Sequence, residues 1–215
     1  MTTTAAAVTT TVPQTSSFAS LQVGDTFKFG SYDQDGVDGA EPIEWIVLDL
    51  DGDTAMATSR YGLECRAYHN SIEHVTWEKS DLRKWLNGTF YNSAFTAQEK
   101  EQICEALLDN DDNLRYKVSG GAQTEDRMFL LSVSEVTALM PSDSARVLPP
   151  TKHASDNGTK PGEKNKNGCW WCLRSPGAGP DMCMIVTSNG HIPDRGEMVN
   201  ADSGAVRPAI WISTR

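Results

Sequence analysis

The sequence predicts an α+β domain of mixed short strands, two or three helices and long loops. Three observations carry this. Strand patterns dominate the first third, helical patterns the middle, and strands and loops the end, without the βαβ alternation of a parallel sheet. Apolar residues make up 39% of 215, enough for one core. No internal repeat is visible.

The elements follow in order. Residues 1–19 are Thr, Ala and Ser with almost no charge, and read as a low-complexity disordered tail or linker; the binding domain is placed at 20–215. Neither a basic start nor a continuous apolar stretch marks them as a signal peptide. LQVGDTFKFGSY (21–32) alternates as a strand entered through a turn at Val23-Gly24-Asp25. EPIEWIVLDLDGDTAMATS (41–59) reads as a hairpin around Asp51-Gly52. Its first arm has Ile43, Trp45 and Val47 on one face and Ile46, Leu48 and Leu50 on the other, predicting a strand buried on both sides.

Ser80 caps a short helix through Asn87, with Gly88 as its stop. Thr96-Ala-Gln-Glu99 is a capping box opening a helix to about Leu108, striped by Ile103 and Leu107. The run Asp109–Asp112 lacks the Gly and terminal Glu of a calcium loop and reads as a solvated turn. MFLLSV (128–133) is a buried strand, and Ser132/Glu135 repeat the capping box before a helix ending at Pro141. Residues 149–167, rich in Lys and turn formers, form an exposed loop. GCWWCLRSPG (168–177) leads into a hairpin signal at Ser188-Asn189-Gly190, and Ala209-Ile210-Trp211-Ile212 is a closing apolar strand.

The formal charge of −10 argues against nucleic acid and anionic membranes as partners, and the longest apolar runs are far too short to insert into a bilayer. Localisation is otherwise open. The odd set Cys65, Cys104, Cys169, Cys172 and Cys183 leaves at least one thiol free or shared. Cys169-x-x-Cys172 could join Cys183 and His191 in a metal site, but the spacings of 11 and 8 are unspecific. It lacks the following helix of a redox centre, because Pro176-Gly177 breaks one. The reading adopted is that the thiols are small core residues, with no metal and no cofactor. Trp170 and Trp171 point to opposite sides of an extended segment. Arg207 fixes the entry of the last strand by pairing with a buried carboxylate or carbonyl. His69, His74, His153 and His191 form no metal pair, and GxSxG, P-loop and dinucleotide fingerprints are absent.

EPIEWIVLD, TWEKSDLRKWLNGTFYNSAF, FLLSVSE, GCWWCLRSPG, SNG and AVRPAIWI together resemble a domain family of bacteria and their phages in which WWLRSPG, a hairpin and a GVRPALWI-type strand recur in this order. The C-terminal half resembles, more distantly, the C-type-lectin-like fold of formylglycine-generating enzymes and of the variable proteins of diversity-generating retroelements. That resemblance implies pairing of the N- and C-terminal strands, two helices on one side, and a loop-built binding surface above GCWWCLRSPG. Cys172, Cys183 and Met184 depart from the family pattern, and no oxidase activity is carried over.

The implied function is a non-catalytic module recognising a protein or glycan on a cell or phage surface. The implied ligand residues are Arg174, Asp181, Met182, Met184, Ile185, Thr187, His191, Pro193, Asp194 and Arg195, held by structural Trp170, Trp171, Arg207 and Trp211. A copper- or thiol-dependent oxidase using Cys169, Cys172 or Cys183, and a structural module of a larger surface protein, are the alternatives.

Overall fold

The computed structural model describes residues 18–37 and 39–215. The expected tail therefore lies outside the described residues up to position 17. Phe18, placed in that tail by the sequence, is buried against Phe27 and Phe29 at ring distances of 5.2 and 5.6 Å.

The first sheet has the order β1-β2-β3-β12-β5. Gly24, at φ +92°, makes the turn before β1 (Thr26–Tyr32), a conformation that costs glycine little. β2 (Glu41–Asp51) and β3 (Thr54–Ser59) are the expected hairpin, turned at Gly52. Ile43, Trp45 and Val47 are buried, and the Trp45 indole donates to the Phe29 carbonyl at 2.8 Å. The outer face is not buried as expected: Ile46 is half-buried and Leu50 exposed. Leu48 does turn inward, at a register shift between Val47 and Asp49.

β4 (Glu64–Cys65) follows, and then the helical section. The Ser80 hydroxyl accepts from the Arg83 amide at the start of α1 (Asp81–Trp85). The helix does not stop at Gly88. It widens into a π turn at Leu86–Phe90 and continues as α2 (Tyr91–Ala94). Burial of Leu86 and Phe90 favours continuation, and the Asn87 side chain is held by the backbone of Arg127 and Met128. The Thr96/Glu99 capping box opens α3 (Ala97–Gln102), which is shorter than expected. Ile103 leaves the helix for β5 (Ile103–Cys104), pairing with Ile212, so sheet pairing overrides local periodicity there. Leu107 sits exposed in β6 (Ala106–Leu108), which pairs with β7 (Thr124–Asp126).

Met128–Leu131 are all fully buried, but only Phe129 bridges, to Ala209; the expected strand is an extended core segment without a ladder. The Ser132/Glu135 box opens α4 (Val133–Leu139) as expected, followed by α5 (Asp143–Arg146) and α6 (Lys152–Asp156).

The second sheet has the order β10-β9-β8-β11-β4. β8 (Trp171–Pro176) is the GCWWCLRSPG segment, antiparallel to β9 (Met182–Val186). The turn at Ser188-Asn189-Gly190 forms, closed by the Thr187 amide on the His191 carbonyl at 2.8 Å. Its second arm is irregular, and β9 pairs instead with β10 (Glu197–Met198). After β11 (Ala205–Val206) the chain passes between sheets at Arg207-Pro208 and enters β12 (Ala209–Ser213). Arg207 is buried and donates through Nε to the Ser59 carbonyl at 3.0 Å, with its guanidinium 5.0 Å above the Trp171 ring. β12 pairs with β3 and β5; β1 shares the sheet without pairing with it, so among the described residues the first and last strands are not neighbours. Trp211 is half-buried while Ile210 and Ile212 fill the core, which makes Trp211 a weaker support than expected.

Candidate functional site

An open cleft of about 460 Å3 lies where the second sheet meets the loop after β6. Its aliphatic lining comes from Val133, Pro176, Met184, Ile192 and Pro193. Asp111, Asp112 and Asp194 supply carboxylates, and Arg115 the cation. The loop carrying Leu114 and Arg115 is locked by Asn113, whose side-chain amide donates to the Pro176 and Gly177 carbonyls at 3.0 and 3.1 Å. The Arg115 guanidinium meets Asp194 at 2.6 Å, joining two loops that both line the cleft. One oxygen of Asp111 accepts from the Ser134 hydroxyl at 3.2 Å, and one of Asp112 from the Gly120 amide at 2.9 Å.

The implied ligand residues divide. Met184, Pro193 and Asp194 line the cleft. His191 and Arg195 are exposed near it in sequence, while Asp181, Met182, Pro193 and Thr187 are half-buried. Arg174, Met184 and Ile185 are all buried, and of the three only Met184 also lines the cleft. Arg174 is held by both oxygens of Glu135 and by the Leu130 carbonyl at 2.9 Å, so its two terminal nitrogens are taken, while its buried Nε has no partner among the described residues. Ile185 sits opposite Cys172 in the β8–β9 ladder. Leu114, Arg115, Ser134 and Ile192 were not singled out from sequence. The acidic run at 109–112 was the one signal near this wall, and nothing in it indicates a partner from β8 or β9.

All five cysteines are free. Cys169 and Cys172 do not act as a pair. The Cys169 thiol donates to the Leu148 carbonyl at 3.2 Å, and burial pushes it up to about 12. Cys172 instead touches Cys183, sulfur to sulfur at 3.4 Å. That hydrogen bond, together with burial, pushes the Cys183 thiol well above its ordinary value. Cys169, Cys172, Cys183 and His191 do not converge on one point. Among the described residues Asp33, Asp35 and Glu41 do, and each already accepts a backbone amide.

The family described as "Domain of unknown function (DUF6273)" matches residues 52–214. The chain belongs to this family. No curated protein and no solved structure matches it.

The matched stretch of this DUF6273 chain contains the whole cleft and the Cys172–Cys183 contact, and a polar network around Glu64 ties it to β1, which lies before that stretch. There Tyr32 donates to the Glu64 carboxylate at 2.7 Å, the Cys65 amide at 2.9 Å, and His153 lies at 3.2 Å with its other nitrogen 3.0 Å from Asp33. Burial alone would raise the Glu64 carboxyl, but these bonds outweigh it and hold it below the ordinary range. The network joins β1, β4 and α6, which gives it a fastening role.

Proposed function

We propose that this DUF6273 chain is a non-catalytic ligand-binding module whose recognition surface is the cleft bounded by Met184, Pro193 and Asp194. The observation that carries this reading is the cleft itself: an aliphatic lining with four charged side chains, in which two loops meet α4, β8 and β9. A protein or glycan on a cell or phage surface is the ligand class. In a retroelement-variable protein, diversified positions would fall on exposed His191, Asp194 and Arg195 rather than on Arg174 or Ile185.

A C-type-lectin-like architecture belongs to the same proposal. The small second sheet bearing long loops supports it, and the separation of β1 from β12 departs from it. The test is wild type against Ser134→Trp on printed arrays of bacterial surface glycans and random peptides. Ser134 is an exposed residue of the cleft wall, so the variant folds with the cleft filled. Saturable binding lost in Ser134→Trp is the expected result; binding that survives it refutes the cleft as the site.

The Cys172–Cys183 contact favours one other reading, a thiol- or copper-dependent oxidase. Both sulfurs are buried and Cys183 is held protonated, whereas nucleophiles and metal ligands are thiolates. Stoichiometric copper in protein purified without chelator, lost in Cys172→Ala, would decide for it.

A further inference from the structure

We infer that the cleft takes a peptide segment presenting an arginine or lysine between aliphatic side chains, and that Arg115 holds the place of that cation on Asp194. The inference rests on the cleft being the binding site. It narrows the ligand from a protein or glycan to a basic, aliphatic stretch of protein.

The lining argues against a sugar first. It contains no aromatic ring against which the C–H face of a pyranose could stack. Its one side-chain amide, Asn113, has its N–H groups committed to Pro176 and Gly177. The aliphatic floor suits leucine-like side chains instead. Leu114, beside it, is 84% exposed, an uncovered apolar contact of the kind a partner buries.

The charge argues for a cation. Three carboxylates line the cleft against one guanidinium, in a chain of net charge −10. Asp111 and Asp112 each use only one oxygen within the described residues, which leaves acceptor capacity on two residues of the cleft lining. Arg115 already shows the geometry: a guanidinium 2.6 Å from Asp194 at the cleft. Its side chain and that of Asp194 are 63% and 66% exposed, and ion pairs so exposed contribute little. A ligand guanidinium anchored by aliphatic neighbours would displace it readily. Arg115 is then a competitor of the ligand and not its partner, and this fixes the sign of the test.

The experiment uses the full chain and arrayed peptides holding one arginine between two leucines and random flanks, with citrulline or glutamate in the arginine's place as controls. The strongest binders are titrated by fluorescence anisotropy. The arginine peptides are expected to bind, and citrulline or Asp194→Asn to weaken them about tenfold or more. Arg115→Ala is expected to tighten them about two- to fivefold. Ser134→Trp should abolish binding while the melting curve is kept. Preference for glutamate, with weakening by Arg115→Ala, overturns the inference, because Arg115 would then be an anion receptor. Glycan binding sensitive to Ser134→Trp without peptide binding overturns it as well, yet leaves the module reading standing. Arginine-peptide binding that ignores Ser134→Trp removes both, and no binding to any peptide removes the inference.

Discussion

Arg174 and Glu135 form a two-pronged pair that joins the inner strand of the second sheet to the first turn of α4. Glu135 also accepts from the Ser132 amide at 2.7 Å, so a single carboxylate closes the helix cap and neutralises the buried guanidinium. With Leu130 and Asp109 carbonyls on the same guanidinium, Arg174 binds four segments of chain into the cleft wall.

Arg174→Ala should therefore act on stability. Breaking a buried pair by removing one partner costs about 3–5 kcal/mol; partial exposure of Glu135 places this one toward the lower end. Urea unfolding measures it. Arg174→Lys should recover only part, since an ammonium cannot reproduce the fork. Unchanged stability with lost binding would return Arg174 to the ligand surface.

Thiol accessibility gives a second expectation. In the native protein Ellman's reagent should reach Cys65 and Cys104, which are partly exposed and slowed by burial that raises both thiols. Cys169, Cys172 and Cys183 should wait for denaturant. Fast native reaction at Cys183 would contradict its protonated, enclosed state.

The pH dependence follows from Glu64. Its folded-state value lies below the reference of 4.5, so the stability it contributes is complete above that reference and lost as pH falls through the folded value. Glu64→Gln should cost about 1–2 kcal/mol at neutral pH, because hydrogen bonds to a charged group become bonds to a neutral one. It should also flatten the acid limb of the stability profile. Parallel acid limbs for the two proteins would show that other carboxylates carry it.

Local chemistry explains what could be read in the sequence. The two capping boxes, the Gly52 turn and the β2–β3 hairpin depend on neighbours within a few residues, and all form. Ile103 looked helical because Leu107 follows it at helical spacing; Ile212, far along the chain, takes it into a strand. Phe18 carries no pattern in a stretch of Thr, Ala and Ser, and only its contact with Phe27 and Phe29 shows its role. For the cleft, Met184, Pro193 and Asp194 were within reach because they lie close together along the C-terminal stretch, Met184 on β9 and the other two on the loop after it. Arg115 was not, since nothing local ties it to a residue so far along the chain.

Trp170 shows how tightly the same frame is packed. A Cβ at Gly204 would sit 2.5 Å from the Trp170 ring, far inside contact distance, and an indole cannot bend away as a flexible chain would. Gly204→Ala should thus destabilise by about 1–3 kcal/mol through overpacking. Trp170→Ala should destabilise by loss of buried ring surface, less than a fully buried Trp because Trp170 is only half covered. The double variant distinguishes packing from any backbone requirement at position 204. If the clash is the cause, adding Gly204→Ala to Trp170→Ala should cost almost nothing more, a coupling of about 1 kcal/mol or greater. Simple addition of the two costs in denaturant melts would mean that Gly204 is needed for its backbone, and that Trp170 is not what holds that position small.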